Sequence, residues 1–103
     1  SKFGMNGLTQ SLAKELGPRG IRVNALCPVL VRTDGLMDAL NAKWSPAKGD
    51  AEGFLKTFAA TQTASGQLPR GEDVGSMCVY LASDAASAIT AQCINVDCGV
   101  FPQ

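Results

Sequence analysis

The chain has 103 residues, nine basic and nine acidic, so its formal net charge is zero. A chain of this length forms at most one small domain, and its scattered basic residues lack the clustered positive charge that nucleic-acid or anionic-membrane binding requires. The sequence contains no histidine, which excludes Ser-His and Cys-His nucleophilic catalysis within these residues. Charged residues make up only 17% of the chain, below the roughly one quarter of an average domain. We therefore expect other parts of its own domain, or partner subunits, to cover much of its surface.

The sequence begins Ser-Lys without an initiator methionine, as expected of a piece cut from a longer chain. It shows neither a secretory signal nor a transmembrane stretch. We therefore expect the four cysteines to be reduced thiols in a cytoplasmic setting. No Cys-x-x-Cys pair is present, which together with the absence of histidine predicts that the chain has no zinc site.

The first elements in chain order are an amphipathic helix and a strand. Residues 1–16 are predicted to be helical, with one apolar face formed by Met5, Leu8, Leu12 and Leu16. Gly4 and Gly7 lie on a stripe of small residues, which predicts that something approaches the helix backbone closely there. Gly17-Pro18 ends the helix, with Gly17 at the C′ position. Residues 21–27 are predicted to form a strand that stops at Pro28.

Two short helices, a loop, a longer helix and a last strand follow. The pattern predicts helices over 33–44 and from an Asp50 cap to about Thr63, and a Gly/Pro/Ser-rich loop over 64–71. The next helix is predicted over 72–82, and the last strand over 91–97. The apolar residues expected to face a core from the 72–82 helix are Val74, Met77, Cys78 and Leu81. Helices alternating with strands indicate the α/β class, and two strands cannot by themselves complete a parallel sheet, so we expect further strands from elsewhere.

Four segments, in order and suitably spaced, resemble the C-terminal portion of the short-chain dehydrogenase/reductase family. The resemblance covers nearly the whole chain. It rests on Ser1-Lys2 with Gly7 to Thr9 and Ser11 to Leu16, on Gly20 to Ala25 with Cys27-Pro28, on Gly71 to Val74 with Tyr80 to Ser87, and on Ile94 to Asp97. It implies that residues 1–103 are the C-terminal part of a single Rossmann domain, with a doubly wound parallel sheet. The N-terminal dinucleotide-binding half would then lie outside these residues.

The resemblance implies that Lys2 is the lysine of the family's Tyr-x-x-x-Lys motif, with the tyrosine three residues before Ser1. Residues four apart share a helix face, so the ammonium would lie near the phenol and favour its ionised form. The family's lysine also hydrogen-bonds the nicotinamide ribose, which makes Lys2 both a catalytic and a cofactor-binding candidate. Without the resemblance, Lys2 would be interpreted as a solvent-exposed lysine near a helix end.

The segment from Pro28 to Thr33 resembles the family turn that binds the nicotinamide. The resemblance implies that the Val31 backbone contacts the carboxamide and that the Thr33 hydroxyl reaches the carboxamide or pyrophosphate. The structural alternative is a proline turn followed by a threonine N-cap, and Thr33 can serve both purposes. Val29 stands where the family usually has glycine, so the turn must differ or tolerate strain. Ala91 and Cys98 also stand at family glycine positions.

Residues 34–66 match the family's variable substrate-covering segment. Its large apolar residues would either form a lid over the substrate or pack a helical hairpin onto the core, namely Leu36, Met37, Leu40, Trp44, Phe54 and Phe58. The stretch from Pro28 to Asp34 is similar to that of the family's L-xylulose and related carbonyl reductases.

The function that the resemblance implies is oxidoreduction with NAD or NADP, interconverting a secondary alcohol and a ketone. The 103 residues alone are predicted to be inactive, because the tyrosine, its serine partner and the Gly-rich loop lie outside them. The resemblance also implies a homodimer or homotetramer built on the 72–82 helix and the last strand. Candidate partner-facing residues are Met77, Val79, Tyr80 and Phe101-Pro102. The alternative hypothesis is a non-catalytic module of the same family that acts in self-association.

Overall fold

The computed structural model describes the backbone of residues 2–102 and the side chains of residues 4–102. The described chain is α/β, as predicted, and contains four α-helices and two strands. In chain order these are α1 (Lys2–Leu16), β1 (Ala25–Pro28), α2 (Asp34–Asn41), α3 (Ala51–Gln62), α4 (Gly71–Ala82) and β2 (Cys93–Val96). Single 3₁₀ turns at Gly17–Arg19 and Asp84–Ala86 follow α1 and α4. All six predicted elements are thus present.

The chain divides into two compact units. The first contains the chain up to Cys27 together with Val74–Asn95, and the second contains Pro28–Asp73 together with the chain from Val96 onward.

In the first unit, β1 and β2 form a parallel two-stranded sheet. The backbone N–H of Ala25 donates to the carbonyl of Gln92 over 2.9 Å, and that of Ala91 donates to the carbonyl of Val23 over 2.8 Å. Both strands are shorter than predicted, with four residues each. The residues that precede them bond partly through side chains, since the Val23 N–H donates to the Thr90 hydroxyl rather than to a carbonyl.

Asn24 joins the two chain segments that lead into the strands. Its side-chain amide donates to the carbonyl of Ile89 over 3.0 Å, and its side-chain oxygen accepts from the N–H of Gln92 over 3.1 Å. Arg22 adds a donor to the same carbonyl of Ile89 over 3.3 Å. These side chains satisfy backbone groups that a longer ladder would otherwise bond.

Helix α1 covers residues 2–16 of the predicted helix, and its apolar face is half-buried only toward the C-terminal end. Met5 and Leu8 are exposed, whereas Thr9 and Ala13 are buried. The Thr9 hydroxyl can be buried because it donates to the Met5 carbonyl one turn earlier, over 2.8 Å. The periodicity identified which apolar residues share a face, but among the described residues nothing covers Met5 and Leu8.

The glycines around α1 also differ from expectation. A β-carbon at Gly4 or Gly7 would meet no described atom within 4 Å, so the expected close approach is not made by this part of the chain. The helix ends at Leu16 as predicted. However, the left-handed residue that ends the following 3₁₀ turn is Gly20, with φ 76°, and not Gly17.

The second unit contains the main apolar core. The buried residues Leu40, Ala47, Ala51 and Leu55 form a cluster. Half-buried side chains pack against this cluster, namely Leu30, Leu36, Met37, Phe54 and Leu68. The core therefore joins α2, α3 and the chain on either side of them.

Both short helices begin at the predicted caps. The Thr33 hydroxyl accepts from the N–H of Leu36 over 3.2 Å, and the Asp50 carboxylate accepts from the N–H of Gly53 over 3.0 Å. Each bond satisfies one of the unpaired N–H groups of a first helical turn. Helix α2 ends at Asn41, three residues before the predicted limit of 44.

Helix α4 matches its predicted span but not its predicted core face. Val74, Met77 and Leu81 are half-buried, while Cys78 is exposed. The prediction that Cys78 faces a core was therefore wrong for the described chain. Helical spacing determines which side chains share a face, but it does not determine whether another element covers that face.

Candidate functional site

The segment from Pro28 to Thr33 leads from the end of β1 to the start of α2. Pro28 is exposed, while Val29 and Val31 are half-buried. Thr33 has an extended backbone, with φ −124° and ψ 159°. Leu30 packs against the core cluster of the second unit, which fixes the middle of this turn.

The backbone between Val29 and Val31 offers unpaired polar groups. No described residue hydrogen-bonds to the N–H or carbonyl groups of Val29, Leu30 or Val31. Backbone N–H and C=O groups normally find a partner in protein, water or ligand. A donor and an acceptor on one residue match a carboxamide, which itself offers both. The turn therefore has hydrogen-bonding capacity for a ligand of that kind.

Thr33 retains a free donor while it caps α2. Its hydroxyl oxygen accepts from the N–H of Leu36, which leaves the O–H hydrogen and a second lone pair available. Its carbonyl accepts from the N–H of Met37 over 2.9 Å and belongs to the helix. The cap bond therefore leaves the Thr33 hydroxyl able to donate a hydrogen bond.

The three residues at family glycine positions do not all have the same backbone conformation. Ala91 and Cys98 have left-handed backbones, with φ of 63° and 53°, whereas Val29 does not. The turn after β1 thus differs from a glycine turn and accommodates a β-branched residue without left-handed strain. The other two positions keep the conformation that favours glycine and carry its cost.

Arg32 forms an ion pair with Glu52 that was not predicted from the sequence. Its Nη1 donates to Oε2 of Glu52 over 2.9 Å, and its Nη2 donates to Oε1 of the same carboxylate. The hydrogen bonds and opposite charge raise the pKa of Arg32, and the same hydrogen bonds are the main cause that lowers the pKa of Glu52. The partners are 20 residues apart, and no local spacing rule connects them.

A groove of about 480 Å³ opens beside this ion pair. Leu55, Leu68 and Pro69 contribute apolar surface to it, and charged side chains surround them, namely Arg32, Glu52, Lys56, Arg70 and Glu72. Both arginines already bond carboxylates. Arg70 donates to Asp73 over 3.0 Å and lowers the pKa of that carboxyl group, chiefly by this hydrogen bonding.

The substrate-covering segment predicted over 34–66 separates into packed and exposed residues. Most of its large apolar side chains contribute to the core, and the Phe58 ring stacks on Phe54 with centroids 6.3 Å apart. Trp44, in contrast, is 85% exposed. The helical-hairpin interpretation therefore describes most of these residues but not Trp44.

Lys2 is the first residue of α1. Its backbone belongs to α1, but its side chain lies outside the described residues.

The described residues contain no group of His, Cys, Asp or Glu side chains that could bind a metal ion. None of the described helices is both long enough and apolar enough to cross a membrane.

The helices and the parallel strand pair match solved α/β structures. Carveol dehydrogenase from Mycobacterium avium in complex with NAD aligns with a TM-score of 0.80 and 25% identity. The alignment covers 99% of this chain and 38% of that one. The architecture is therefore that of the Rossmann-type α/β enzymes.

Sequence comparisons identify the family. The family model described as enoyl-(acyl carrier protein) reductase matches residues 1–101. A short-chain dehydrogenase/reductase of Armillaria gallica is 44% identical over 100 residues, covering 97% of this chain and 36% of the relative. The 3alpha-hydroxysteroid dehydrogenase of Mediterraneibacter gnavus is 41% identical over 97 residues, covering 94% and 34%. The chain belongs to the short-chain dehydrogenase/reductase family, and it spans about a third of the length of these relatives.

Proposed function

We propose that this chain is the C-terminal part of an oxidoreductase that interconverts a secondary alcohol and a ketone with NAD or NADP. Family membership and the dehydrogenases among its relatives support the reaction class. The observation that carries the assignment is the turn after β1, where the Val31 backbone has no partner among the described residues and Thr33 keeps a free donor. A nicotinamide supplies the hydride chemistry when bound.

Within that site, the turn would bind and orient the cofactor. The Val31 N–H and carbonyl would bond the carboxamide, and the Thr33 hydroxyl would donate to the carboxamide or pyrophosphate. Pro28 and Val29 would shape the turn, since a proline has a fixed φ and no N–H to bond. Fixing the carboxamide at several points limits the orientations of the ring, which is how a binding site contributes to rate.

The Lys2 ammonium would lower the pKa of a tyrosine hydroxyl. A tyrosine four residues earlier on the same helix face would have an ordinary pKa of about 10 and be a poor base at neutral pH. The Lys2 ammonium would favour the phenolate, and it would also bond the nicotinamide ribose. The serine partner and the phosphate-binding loop would come from the part of the relatives that this chain does not span.

The substrate would lie under the 34–66 segment. Trp44 is our candidate for a substrate contact there, because it is exposed while its apolar neighbours pack into the core. Since the sequence from Pro28 to Asp34 resembles the L-xylulose and carbonyl reductases, small polyol or diketone substrates are the first to test.

The test is turnover by the full-length protein. We expect it to oxidise NADH or NADPH in the presence of a ketone panel, followed at the nicotinamide absorbance. We expect a polypeptide of residues 1–103 to show no turnover with the same substrates. Turnover by residues 1–103, or a residue other than tyrosine four positions before Lys2, would contradict the proposal.

Variants of Thr33 separate capping from cofactor binding. Thr33→Asp keeps an oxygen that can accept from the Leu36 N–H, so α2 keeps its cap, but at neutral pH the carboxylate has no donor for the cofactor. We expect Thr33→Asp to fold and to lose nucleotide affinity, and the control Thr33→Ser to keep both. If Thr33→Asp bound NAD or NADP as tightly as Thr33→Ser does, a role of the hydroxyl in cofactor binding would be contradicted.

The alternative function, self-association, is favoured by one observation. On α4, Val79 is 71% exposed and Tyr80 is 44% exposed, which is unusual for large apolar side chains on one short stretch. We propose that a second copy of the chain covers them, giving a homodimer or homotetramer. Light scattering should show Val79→Glu to be a smaller species than wild type. An unchanged mass would contradict this interface.

We also propose a cytoplasmic location. The support is that all four cysteines are free in the structure, as expected where thiols stay reduced.

A further inference from the structure

Alternate side chains of the turn after β1 contact α3 and its surroundings. Leu30 packs against the cluster that contains Ala51 and Leu55 of α3, and Arg32 bonds Glu52 of the same helix. Val31 and Thr33, the residues proposed to bind the nicotinamide, lie on either side of Arg32 in the chain, and the backbone of Thr33 is extended.

The bond between Arg32 and Glu52 is directional. Two N–H groups of one guanidinium meet the two oxygens of one carboxylate, a bidentate arrangement that fixes the relative orientation of both groups. Glu52 lies in the first turn of α3, where unpaired N–H groups also favour a negative charge. The apolar contact of Leu30 has no such directionality.

We propose that Arg32 and Glu52 form a positioning pair that fixes the nicotinamide-binding turn on α3, so that the Val31 backbone and the Thr33 hydroxyl face the cofactor. The inference rests on the proposed function. Neither residue is placed in contact with cofactor or substrate. Their effect is transmitted through the backbone of residues 31–33, on which Arg32 itself lies between the two binding positions.

The expected effect is modest, because both partners are exposed. The Arg32 and Glu52 side chains keep 59% and 63% of their accessible surface, and exposed ion pairs are weakened by water and salt. Charge reversal gives a clearer signal than removal, because it replaces attraction by repulsion at the same distance. Exchanging the two charges should restore the attraction.

The experiment compares Arg32→Glu, Glu52→Arg and the double exchange in the full-length protein. We expect each single reversal to raise the dissociation constant for NAD or NADP about three- to tenfold, and the exchange to return it to within about twofold of wild type. The increases in the dissociation constant should be smaller in about 1 M salt, because salt screens the charges of the pair. The urea midpoint without nucleotide should show the same rescue, which reports the pair independently of binding.

Arg19→Glu and Glu15→Arg are matched controls. They make the same chemical changes at exposed positions that have no ion pair among the described side chains. We expect both to leave the dissociation constant within about twofold of wild type.

The outcomes separate the two proposals. A wild-type protein that binds neither nucleotide overturns the proposed function together with this inference. Normal binding by wild type, with single reversals that match the Arg19 and Glu15 controls, overturns only the positioning pair. Single reversals that the double exchange does not rescue also overturn it, because the effect would then come from each residue separately.

Discussion

Replacing Ala91 by glycine should stabilise the protein. Ala91 has φ 63° just before β2, and a left-handed backbone costs an L-residue about 1–2 kcal/mol. Glycine removes this cost but gives the unfolded chain more freedom, which offsets about 0.4–1 kcal/mol. The difference between these ranges is centred on a net gain of about 0.8 kcal/mol. The N–H of residue 91, which donates to Val23, is kept in the variant.

Urea unfolding of the full-length protein measures this gain. With an m-value of about 1–3 kcal/mol/M, the midpoint should rise by about 0.2–1 M. Ala88→Gly is the matched control, because Ala88 is also outside the long helices and strands but has a negative φ and an exposed side chain. The control should lower stability by about 0.4–1 kcal/mol. A decrease of the same size for Ala91→Gly would refute a left-handed backbone at that residue.

Three further comparisons test the second unit. Gly99→Ala should cost about 1–3 kcal/mol more than Gly66→Ala in urea unfolding, because both glycines are left-handed but only at Gly99 would a β-carbon overlap a neighbouring side chain. The free energy of unfolding of wild type should exceed that of Glu52→Gln, and this difference should be largest above the ordinary glutamate pKa of about 4.3. It should be lost as the pH falls through the lowered pKa of Glu52. A difference that grows in acid would contradict the ion pair. Leu55→Ala should cost about 2–5 kcal/mol and Trp44→Ala less than about 0.5 kcal/mol. Equal losses would contradict the exposures of these side chains, which are 4% for Leu55 and 85% for Trp44.

Local rules predicted the elements of the fold well. The helices that begin at Thr33 and Asp50 were predicted from cap residues, and the structure shows both cap hydrogen bonds. Caps act within one helical turn, so they can be recognised without knowledge of the tertiary structure.

Burial was predicted less well, because it depends on elements that are distant in sequence. The sequence predicted an apolar face of α1 that includes Met5 and Leu8, and both side chains are exposed in the described chain. The prediction that Cys78 faces a core was wrong for the same reason. Periodicity orients side chains around a helix axis, but only tertiary packing determines which orientation is inside.

The candidate site was predicted from resemblance rather than from spacing. Nothing in the composition of residues 28–33 indicates a cofactor, and the unpaired backbone of Val31 can be recognised only from the structure. Arg32 and Glu52 were missed because charged residues are common and their pairing depends on tertiary packing. In contrast, the glycine positions at Ala91 and Cys98 were noticed in the sequence, and their left-handed backbones explain why glycine is usual there.

A structure of the full-length protein with NAD or NADP bound is the most direct test of the central claim. We expect the carboxamide within hydrogen-bond distance of the Val31 backbone and the Thr33 hydroxyl, and the Lys2 ammonium on the ribose beside a tyrosine one helical turn earlier. A nicotinamide bound away from residues 28–33, or a Lys2 side chain remote from it, would contradict the account.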